Sequence, residues 1–169
     1  MSKKKKVRIP DREVYKRRIE NFLKNPPSTK IDGPASIELD AHWAKYACVL
    51  VSGYMEKSVM ELLLSYAILK SENRVSFYIE KTWPKSKNMN STNVIALVGN
   101  FDAGWGIEIS NWLGNGDQSN KSIIDGIITT RNNIAHGSES NTNGVTINSV
   151  KSQFETAKGL ITKLEDLIC

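Results

Sequence analysis

Residues 123–137 read IIDGIITTRNNIAHG, and this stretch is informative about both the fold and the chemistry of the chain. Its isoleucines recur at steps of three and four residues, which is the spacing of one buried side of an α-helix. Gly137 is well placed to end that helix. Arg131 and His136 fall in its last turns and outside the isoleucine stripe. The stretch therefore predicts a core helix that carries two chemically active side chains at its end.

Apolar residues at helical spacing continue through most of the remaining chain. Asp11 can cap a helix that runs to about Lys24, and Ser36 can cap a long one that runs to about Lys70. The long helix is apolar nearly all round, which is typical of the central helix of a bundle. A last helix is predicted from Thr146 to about residue 168.

The segment between these helices is less regular. Residues 72–83 fit either a strand or a helix, and we favour a helix because no second strand is visible to pair with it. Ser91 or Thr92 starts a short helix, residues 100–116 hold one or two helical turns between loops, and residues 138–144 form a polar loop. The helix with the isoleucine stripe starts at Asp117 or Ser119. The fold class is thus all-α, an antiparallel helical bundle of four or five main helices.

Three parts follow from this pattern. Residues 1–10 are a basic flexible tail, residues 11–35 form a helix and a proline-rich connection, and residues 36–169 form the main helical domain. The tail contains Lys3, Lys4, Lys5 and Lys6, while the chain as a whole has a net charge of +5. The tail is either a solvated segment or an electrostatic arm that raises affinity for RNA without reading its sequence.

Composition excludes several classes of protein. The 169 residues suit one domain, and 40% hydrophobic with 24% charged residues is average for a globular protein. Cys48 and Cys169 offer no disulfide framework, which favours a cytoplasmic location. The two cysteines and two histidines lack the spacing of a zinc site, so we expect neither metal nor cofactor. No apolar run reaches the roughly 18 residues of a membrane span.

The residues at the end of the motif helix suit phosphodiester cleavage. The Arg131 guanidinium can hold a phosphate through a rigid fork of donors. His136 can move a proton near neutral pH, and Asn132 can orient the pair. Positively charged side chains and a glycine are also an ordinary end for a helix, because they suit its dipole. The pattern therefore has a catalytic and a purely structural interpretation.

The Arg131–Gly137 segment resembles the Arg-polar-x-x-x-His signature of the HEPN superfamily, and its Ala-His-Gly ending is closest to the RiboL-PSP branch. The Gly53–Glu56 segment is similar to the Gly-x-x-Glu helix of that branch. The resemblance covers about residues 36–168. It implies a small helical domain of the kind that often serves as a metal-independent endoribonuclease, with its site at a homodimer interface.

The resemblance thus implies cleavage of single-stranded RNA through attack of its own 2′-hydroxyl. Arg131, His136 and Asn132 are the catalytic residues in this hypothesis, with Glu56 and Asn133 in support. Arg131 and the lysines of the basic tail would bind the substrate. Relatives of this kind often act as toxins or in defence against phage, so a cognate antitoxin or a regulatory protein is a possible partner. The alternative is a HEPN-like module that binds RNA or a partner without turnover.

The sequence leaves the roles of several other polar and aromatic residues open. Glu56 either pairs with Arg131 and orients its guanidinium or is a surface carboxylate beside Lys57. His42 is interpreted as a histidine of the helix surface or of the core. The tryptophans could stack on unpaired bases, but they are more often core residues and receive no functional role.

Overall fold

The computed structural model describes residues 11–27, 33–84, 87–115 and 119–168. These ranges contain seven α-helices and one 3-10 helix, with no strand, which confirms the all-α fold. The helices are α1 (Asp11–Lys24), α2 (Pro34–Lys70), α3 (Asn73–Thr82), α4 (Ser91–Gly99), α5 (Ala103–Gly114), α6 (Asn120–Ala135) and α7 (Ile147–Ile168), and the 3-10 helix spans Glu139–Thr142. The predicted tail at residues 1–10 lies outside the described residues.

The long helix α2 is the centre of the bundle. It packs against α1, α3, α6 and α7, so it buries side chains in several directions along its length. The fully buried residues of α2 include Ala44, Ala47, Cys48, Val51, Met55, Val59 and Leu63. This arrangement agrees with a helix that is apolar nearly all round.

The start of α2 differs from the prediction. Ser36 is not its cap, because the helix already begins at Pro34 and is preceded by Gly33 with a φ of 101°. Proline suits a first helical position, since it has no N–H to satisfy there and its φ is preset. A left-handed φ at the preceding residue favours glycine. The Gly33-Pro34 pair therefore sets the start of the central helix.

Two contacts show how α2 and α7 run relative to one another. Tyr54 of α2 packs edge-on against Phe154 of α7, with ring centroids 5.5 Å apart. Farther along both helices, Arg12 of α1 binds Glu61 of α2 at 2.8 Å and Glu165 of α7 at 2.9 Å. Tyr54 precedes Glu61 in α2, and Phe154 precedes Glu165 in α7. Because the two contacts follow in the same order along both helices, α2 and α7 run parallel.

The segment with several glycines forms a longer helix than predicted. Residues 100–116 were expected to hold one or two turns, but α5 has 12 residues and is capped by Asp102, whose side chain accepts the Trp105 N–H at 3.1 Å. Its glycines serve close packing: a Cβ on Gly106 would lie 3.0 Å from the Cα of Gly99 in α4. The prediction of a short helix was therefore wrong because close-packing glycines resemble breaks in the sequence.

The predicted starts of the last two helices are confirmed in the described ranges. Ser119 caps α6, since its hydroxyl accepts the Ser122 N–H at 3.3 Å. Thr146 and Ser149 cap α7 reciprocally, each side chain accepting the main-chain N–H of the other at 3.1 Å and 3.0 Å. The polar loop between α6 and α7 contains the short 3-10 helix. Both helices are thus fixed at their starts by short polar side chains.

Candidate active site

Helix α6 buries one side and exposes the end that carries the motif. Ile124, Ile127 and Ile128 belong to the core, as their spacing predicts. The carboxylate of Asp125 accepts the main-chain N–H of Ser91 at 2.7 Å and its hydroxyl at 2.8 Å. A carboxylate at the first turn of α4 also suits the dipole of that helix. The motif therefore follows a helix that is held both by the core and by α4.

The end of α6 is closed by a glycine turn. His136 is the residue that follows the helix, and Gly137 has a φ of +69°. The Gly137 N–H binds the carbonyl of Ile134 at 3.2 Å, and the Ser138 N–H binds the carbonyl of Asn133 at 2.9 Å. This pair of bonds is the Schellman arrangement, which satisfies carbonyls that the helix leaves without partners. The position of His136 is therefore determined by the backbone.

Asn132 contacts both of the chemically active residues. Its side-chain Oδ1 accepts a hydrogen bond from Nη1 of Arg131 at 3.0 Å. Its main-chain carbonyl accepts the N–H of His136 at 3.0 Å. The guanidinium has five N–H donors, and this side-chain bond engages one of its nitrogens. Asn132 thus restrains the guanidinium while its carbonyl fixes the backbone that bears the imidazole.

The environment of the pair suits the binding of an anion. Arg131 and Asn132 are half-buried, whereas His136 is exposed. A half-buried guanidinium interacts with a phosphate more strongly than one in full solvent, because the local screening is weaker. The exposed imidazole remains accessible to a substrate held by Arg131. The geometry can therefore bind a phosphate and exchange a proton at the same helix end.

The two supporting residues lie in different surroundings. Glu56 is not brought to Arg131: its Oε1 accepts the main-chain N–H of Lys87 at 3.0 Å, in the segment that leads to α4. Asn133 lies in the last turn of α6, and its carbonyl accepts the Ser138 N–H. Of the two roles left open for Glu56, the structure does not show the pairing with Arg131; the Arg131 guanidinium donates instead to Oδ1 of its own neighbour, Asn132.

Aromatic residues that could have stacked on bases pack inside the bundle instead. Trp83 packs edge-on against Phe101 with ring centroids 6.1 Å apart, and Trp105 packs against Tyr66 at 5.1 Å. Trp112 contacts α7, where a Cβ on Gly159 would lie 3.1 Å from its Cζ2. These contacts are typical of core residues, which is the role that the sequence favoured for the tryptophans.

Sequence reasoning missed one contact near the motif. The bond between Asp125 and Ser91 joins residues 34 positions apart, so no local pattern shows it. His42 is exposed on α2, which agrees with its interpretation as a histidine of the helix surface.

The described ranges contain neither a candidate metal site nor a candidate membrane span. No group of three or more histidine, cysteine, aspartate or glutamate side chains there could hold a metal ion. Over the same residues, no helix has both the length and the apolar character to cross a membrane. The four lysines of the basic tail, predicted to bind substrate, lie outside the described residues.

An all-α bundle with an Arg-Asn-x-x-x-His motif at a helix end is the combination that defines a HEPN-type domain. Comparison with protein-family models matches residues 11–169 to RiboL-PSP-HEPN. The chain therefore belongs to the RiboL-PSP-HEPN family, as the resemblance of its motif predicted. Searches of curated proteins and of solved structures found no significant match.

Proposed function

We propose that this protein is a metal-independent endoribonuclease that cleaves single-stranded RNA through attack of the 2′-hydroxyl. Arg131 binds the scissile phosphate, His136 transfers a proton and Asn132 orients them. The observation that carries this proposal is the position of Asn132, whose side chain binds Arg131 and whose carbonyl binds the His136 N–H. Membership of the HEPN family supports an RNA-directed role.

The proposed reaction needs three contributions. A base removes the proton of the 2′-hydroxyl, an acid protonates the departing 5′-oxygen, and a cation stabilises the charge on the phosphate. Arg131 supplies the third contribution through the donors of its guanidinium. His136 can supply either of the first two, because imidazole exists in both protonation states near neutral pH. The site therefore fits a reaction that proceeds by proton transfer and charge stabilisation.

A homodimer is part of the proposal. A two-fold axis would bring two Arg131–His136 pairs into one cleft and supply a second imidazole. Sedimentation equilibrium at micromolar concentration should then give twice the 18.9 kDa mass of the chain. A toxin or phage-defence role, with a cognate antitoxin or regulatory partner, is the biological context in which such a nuclease would be held inactive until it is needed.

The test of the proposal is cleavage of a defined single-stranded RNA by the purified chain in the presence of EDTA. We expect products with a 2′,3′-cyclic phosphate or a 3′-phosphate end. A matched RNA with a single 2′-deoxy residue at the cleavage site should remain intact there, because the attacking hydroxyl is missing. Activity that is lost with EDTA and restored by magnesium would contradict the mechanism. Tight RNA binding without any cleavage would favour the non-catalytic module instead.

A further inference from the structure

The first turn of α6 lies beside the second half of α2. Tyr54 of α2 is level with Phe154 of α7, and because the two helices are parallel, Gly159 is level with a point beyond Tyr54. Trp112 contacts Gly159, since a Cβ there would lie 3.1 Å from its Cζ2. The carbonyl of Trp112 accepts the side-chain N–H of Asn120, in the first turn of α6, at 2.9 Å. Helix α6 therefore starts near that later part of α2.

A contact in the middle of α6 gives the direction and register of this helix against α2. The thiol of Cys48 donates to the carbonyl of Ile127 at 3.8 Å. Cys48 precedes Tyr54 in α2, whereas Ile127 follows Asn120 in α6, so the two helices run antiparallel. Positions before Cys48 therefore lie beside positions after Ile127.

Lys45 and Arg131 lie at the same height beside this contact. Lys45 is three residues before Cys48, and Arg131 is four residues after Ile127. At about 1.5 Å of rise per residue, both lie about one turn away in the same direction, and their heights differ by about 1.5 Å. The Ile127 carbonyl is also the acceptor of the Arg131 N–H in a regular α-helix, so the backbone of Arg131 passes close to α2.

Lys45 lies on the edge of α2 that faces the segment before α4. Helical residues turn by about 100° each, so Lys45 is about 60° from Cys48 and about 20° from Glu56 around the helix. The carboxylate of Glu56 accepts the main-chain N–H of Lys87 at 3.0 Å. Lys45 is therefore beside α6 and on the side of α2 where Lys87 lies.

Arg131 lies on the matching edge of α6. It is about 40° from Ile127, in the direction of Asp125, which is about 160° from Ile127. Asp125 accepts the main-chain N–H of Ser91, at the start of α4, at 2.7 Å. The axes of packed helices are about 8–10 Å apart. Lys45 and Arg131 are therefore neighbours across the contact between α2 and α6, on the edge that faces α4.

No carboxylate neutralises these two cations in the described part of the chain. Lys45 is half-buried, and its side chain makes neither a hydrogen bond nor an ion pair with a described residue. Arg131 is half-buried too, and its side-chain bond goes to the uncharged Oδ1 of Asn132. Like charges on neighbouring helices repel each other, and a bound anion removes that repulsion. This edge is therefore suited to the phosphates of a nucleic acid.

His136 lies on the opposite side of Arg131 from Lys45. It follows Ile127 by nine residues, which is about 180° around the helix, so it faces away from α2. A phosphate held by Arg131 and accessible to His136 leaves Lys45 on the far side. The phosphate that Lys45 can reach is then the next one along the strand.

We propose that Lys45 binds the phosphate next to the one held by Arg131 in single-stranded RNA. This inference rests on the proposed nuclease function and extends its substrate site from α6 onto α2. It adds a binding contact and leaves the reacting groups, including the imidazole of the partner chain in the homodimer, unchanged. A contact outside the reacting linkage is equally strong in the ground state and the transition state. Lys45 therefore acts on affinity rather than on the chemical step.

The first test compares RNA binding by the parent, Lys45→Gln and Lys45→Arg. The probe is a 2′-O-methyl oligonucleotide, which lacks the attacking hydroxyl and stays intact. Lys45→Gln should bind roughly tenfold more weakly, because a charge-assisted hydrogen bond is lost. Its slope of log K against log salt concentration should be shallower by about 0.7, which corresponds to one phosphate contact on a single strand. Lys45→Arg should keep the parental slope.

Lys70→Gln is the matched control for the loss of a positive charge. Lys70 is exposed on the same helix, 25 residues farther along, and its replacement should leave RNA binding at the parental level. The melting temperature of Lys45→Gln should be no lower than that of the parent, because no partner is lost and a repulsion is removed.

Cleavage of unmodified RNA separates Lys45 from the reacting residues. Lys45→Gln should raise KM roughly tenfold and keep the parental rate at saturation, whereas His136→Gln should lose that rate. RNAs with an uncharged methylphosphonate on either side of the cleaved linkage locate the contact. One of these two substitutions should weaken cleavage by the parent and have no further effect on Lys45→Gln.

The outcomes separate this inference from the proposed function. Parental affinity and salt slope in Lys45→Gln would overturn the inference alone, whether or not the parent cleaves RNA. Unfolding of Lys45→Gln would overturn it as well, since Lys45 would then be a structural residue. A loss of the rate at saturation with KM unchanged has the same consequence. If the parent binds the probe through Lys45 but leaves RNA intact, the phosphate contact is supported and the nuclease function fails.

Discussion

Arg131 donates a hydrogen bond from Nη1 to Oδ1 of its neighbour Asn132 at 3.0 Å. A bond of this kind contributes only about 0.5–1.5 kcal/mol of net stability, so its value lies in orientation. It holds a long, flexible side chain in one direction before any substrate binds. A preorganised guanidinium loses less freedom when it engages a phosphate.

Replacement of Asn132 by alanine should therefore affect turnover more than folding. Without Oδ1 the guanidinium loses its restraint, and a misplacement of about 1 Å can lower the rate about 10²-fold. We expect Asn132→Ala to melt near the parent temperature and to cleave roughly 10- to 100-fold more slowly. Asn111→Ala, at an exposed position of α5, is the control and should cleave normally. Equal rates for both variants would show that the Arg131 bond is not needed.

Gly137 should be sensitive to substitution because of its conformation rather than its surroundings. Its φ is +69°, and a Cβ there would meet nothing within 4 Å. A left-handed conformation costs a residue with a Cβ about 1–2 kcal/mol. Gly137→Ala should thus lower the free energy of unfolding by about that amount and displace His136, which reduces cleavage.

Gly144→Ala is the matched control for this change. Gly144 also has open space around its Cβ position, and its φ is not positive. The free energy of unfolding of this variant, measured in urea, should stay close to that of the parent. A loss of stability that is equal in the two variants would contradict the role assigned to the glycine turn.

The sequence predicted local features well because their causes are local. The stripe of isoleucines predicted the buried side of α6, Ser119 was one of the two starts predicted for it, and Gly137 predicted its end. Each of these depends on residues within a few positions of one another. The motif itself could be located for the same reason.

Features that depend on contacts between distant segments were missed. The pairing of Glu56 with the Lys87 N–H, rather than with Arg131, depends on where the segment before α4 passes α2. The glycines of α5 look like helix breaks until the close approach of Gly106 to Gly99 is known.

The close approach of α4 and α5 gives a stability prediction. A Cβ on Gly106 would lie 3.0 Å from the Cα of Gly99, and backbone cannot move aside as a flexible side chain can. Overpacking of this kind typically costs about 1–3 kcal/mol, and we expect that loss for Gly106→Ala in urea unfolding. Gly126→Ala is the control, since a Cβ at Gly126 of α6 meets nothing within 4 Å. It should stabilise the protein by about 0.5–1 kcal/mol through helix propensity.

Because Cys48 is buried, the free energy of unfolding should fall at alkaline pH. Burial raises the pKa of its thiol from 9.0 to about 11. The folded state therefore keeps the proton over a range in which the unfolded chain releases it, and stability falls as pH rises above about 9. One pKa unit corresponds to about 1.4 kcal/mol, so the loss at pH 10 should be about 1 kcal/mol.

Urea unfolding at pH 7 and pH 10 measures this effect. Burial also raises the pKa of Tyr54, which adds a loss of the same sign. Cys48→Ala is less stable at both pH values because it leaves a cavity. The free energy of unfolding of this variant should nevertheless decrease less between pH 7 and pH 10 than that of the parent. An identical decrease would show that the thiol does not titrate differently in the folded and unfolded states.

The most direct test of the nuclease account is to measure, for the same samples of Arg131→Ala and His136→Ala, the rate of RNA cleavage in EDTA and the melting temperature. Neither residue is part of the buried core. His136 is exposed, so its replacement should cost within about 0.5 kcal/mol, while half-buried Arg131 also loses its bond to Asn132, worth about 0.5–1.5 kcal/mol. Arg74→Ala, at an exposed position of α3, controls for the loss of a positive charge. Both site variants should melt near the parent, with a loss in rate of about 10²–10⁴ for His136→Ala and about 10²–10³ for Arg131→Ala, and Arg74→Ala should cleave normally. Folded site variants that cleave RNA at the parental rate would contradict the nuclease account.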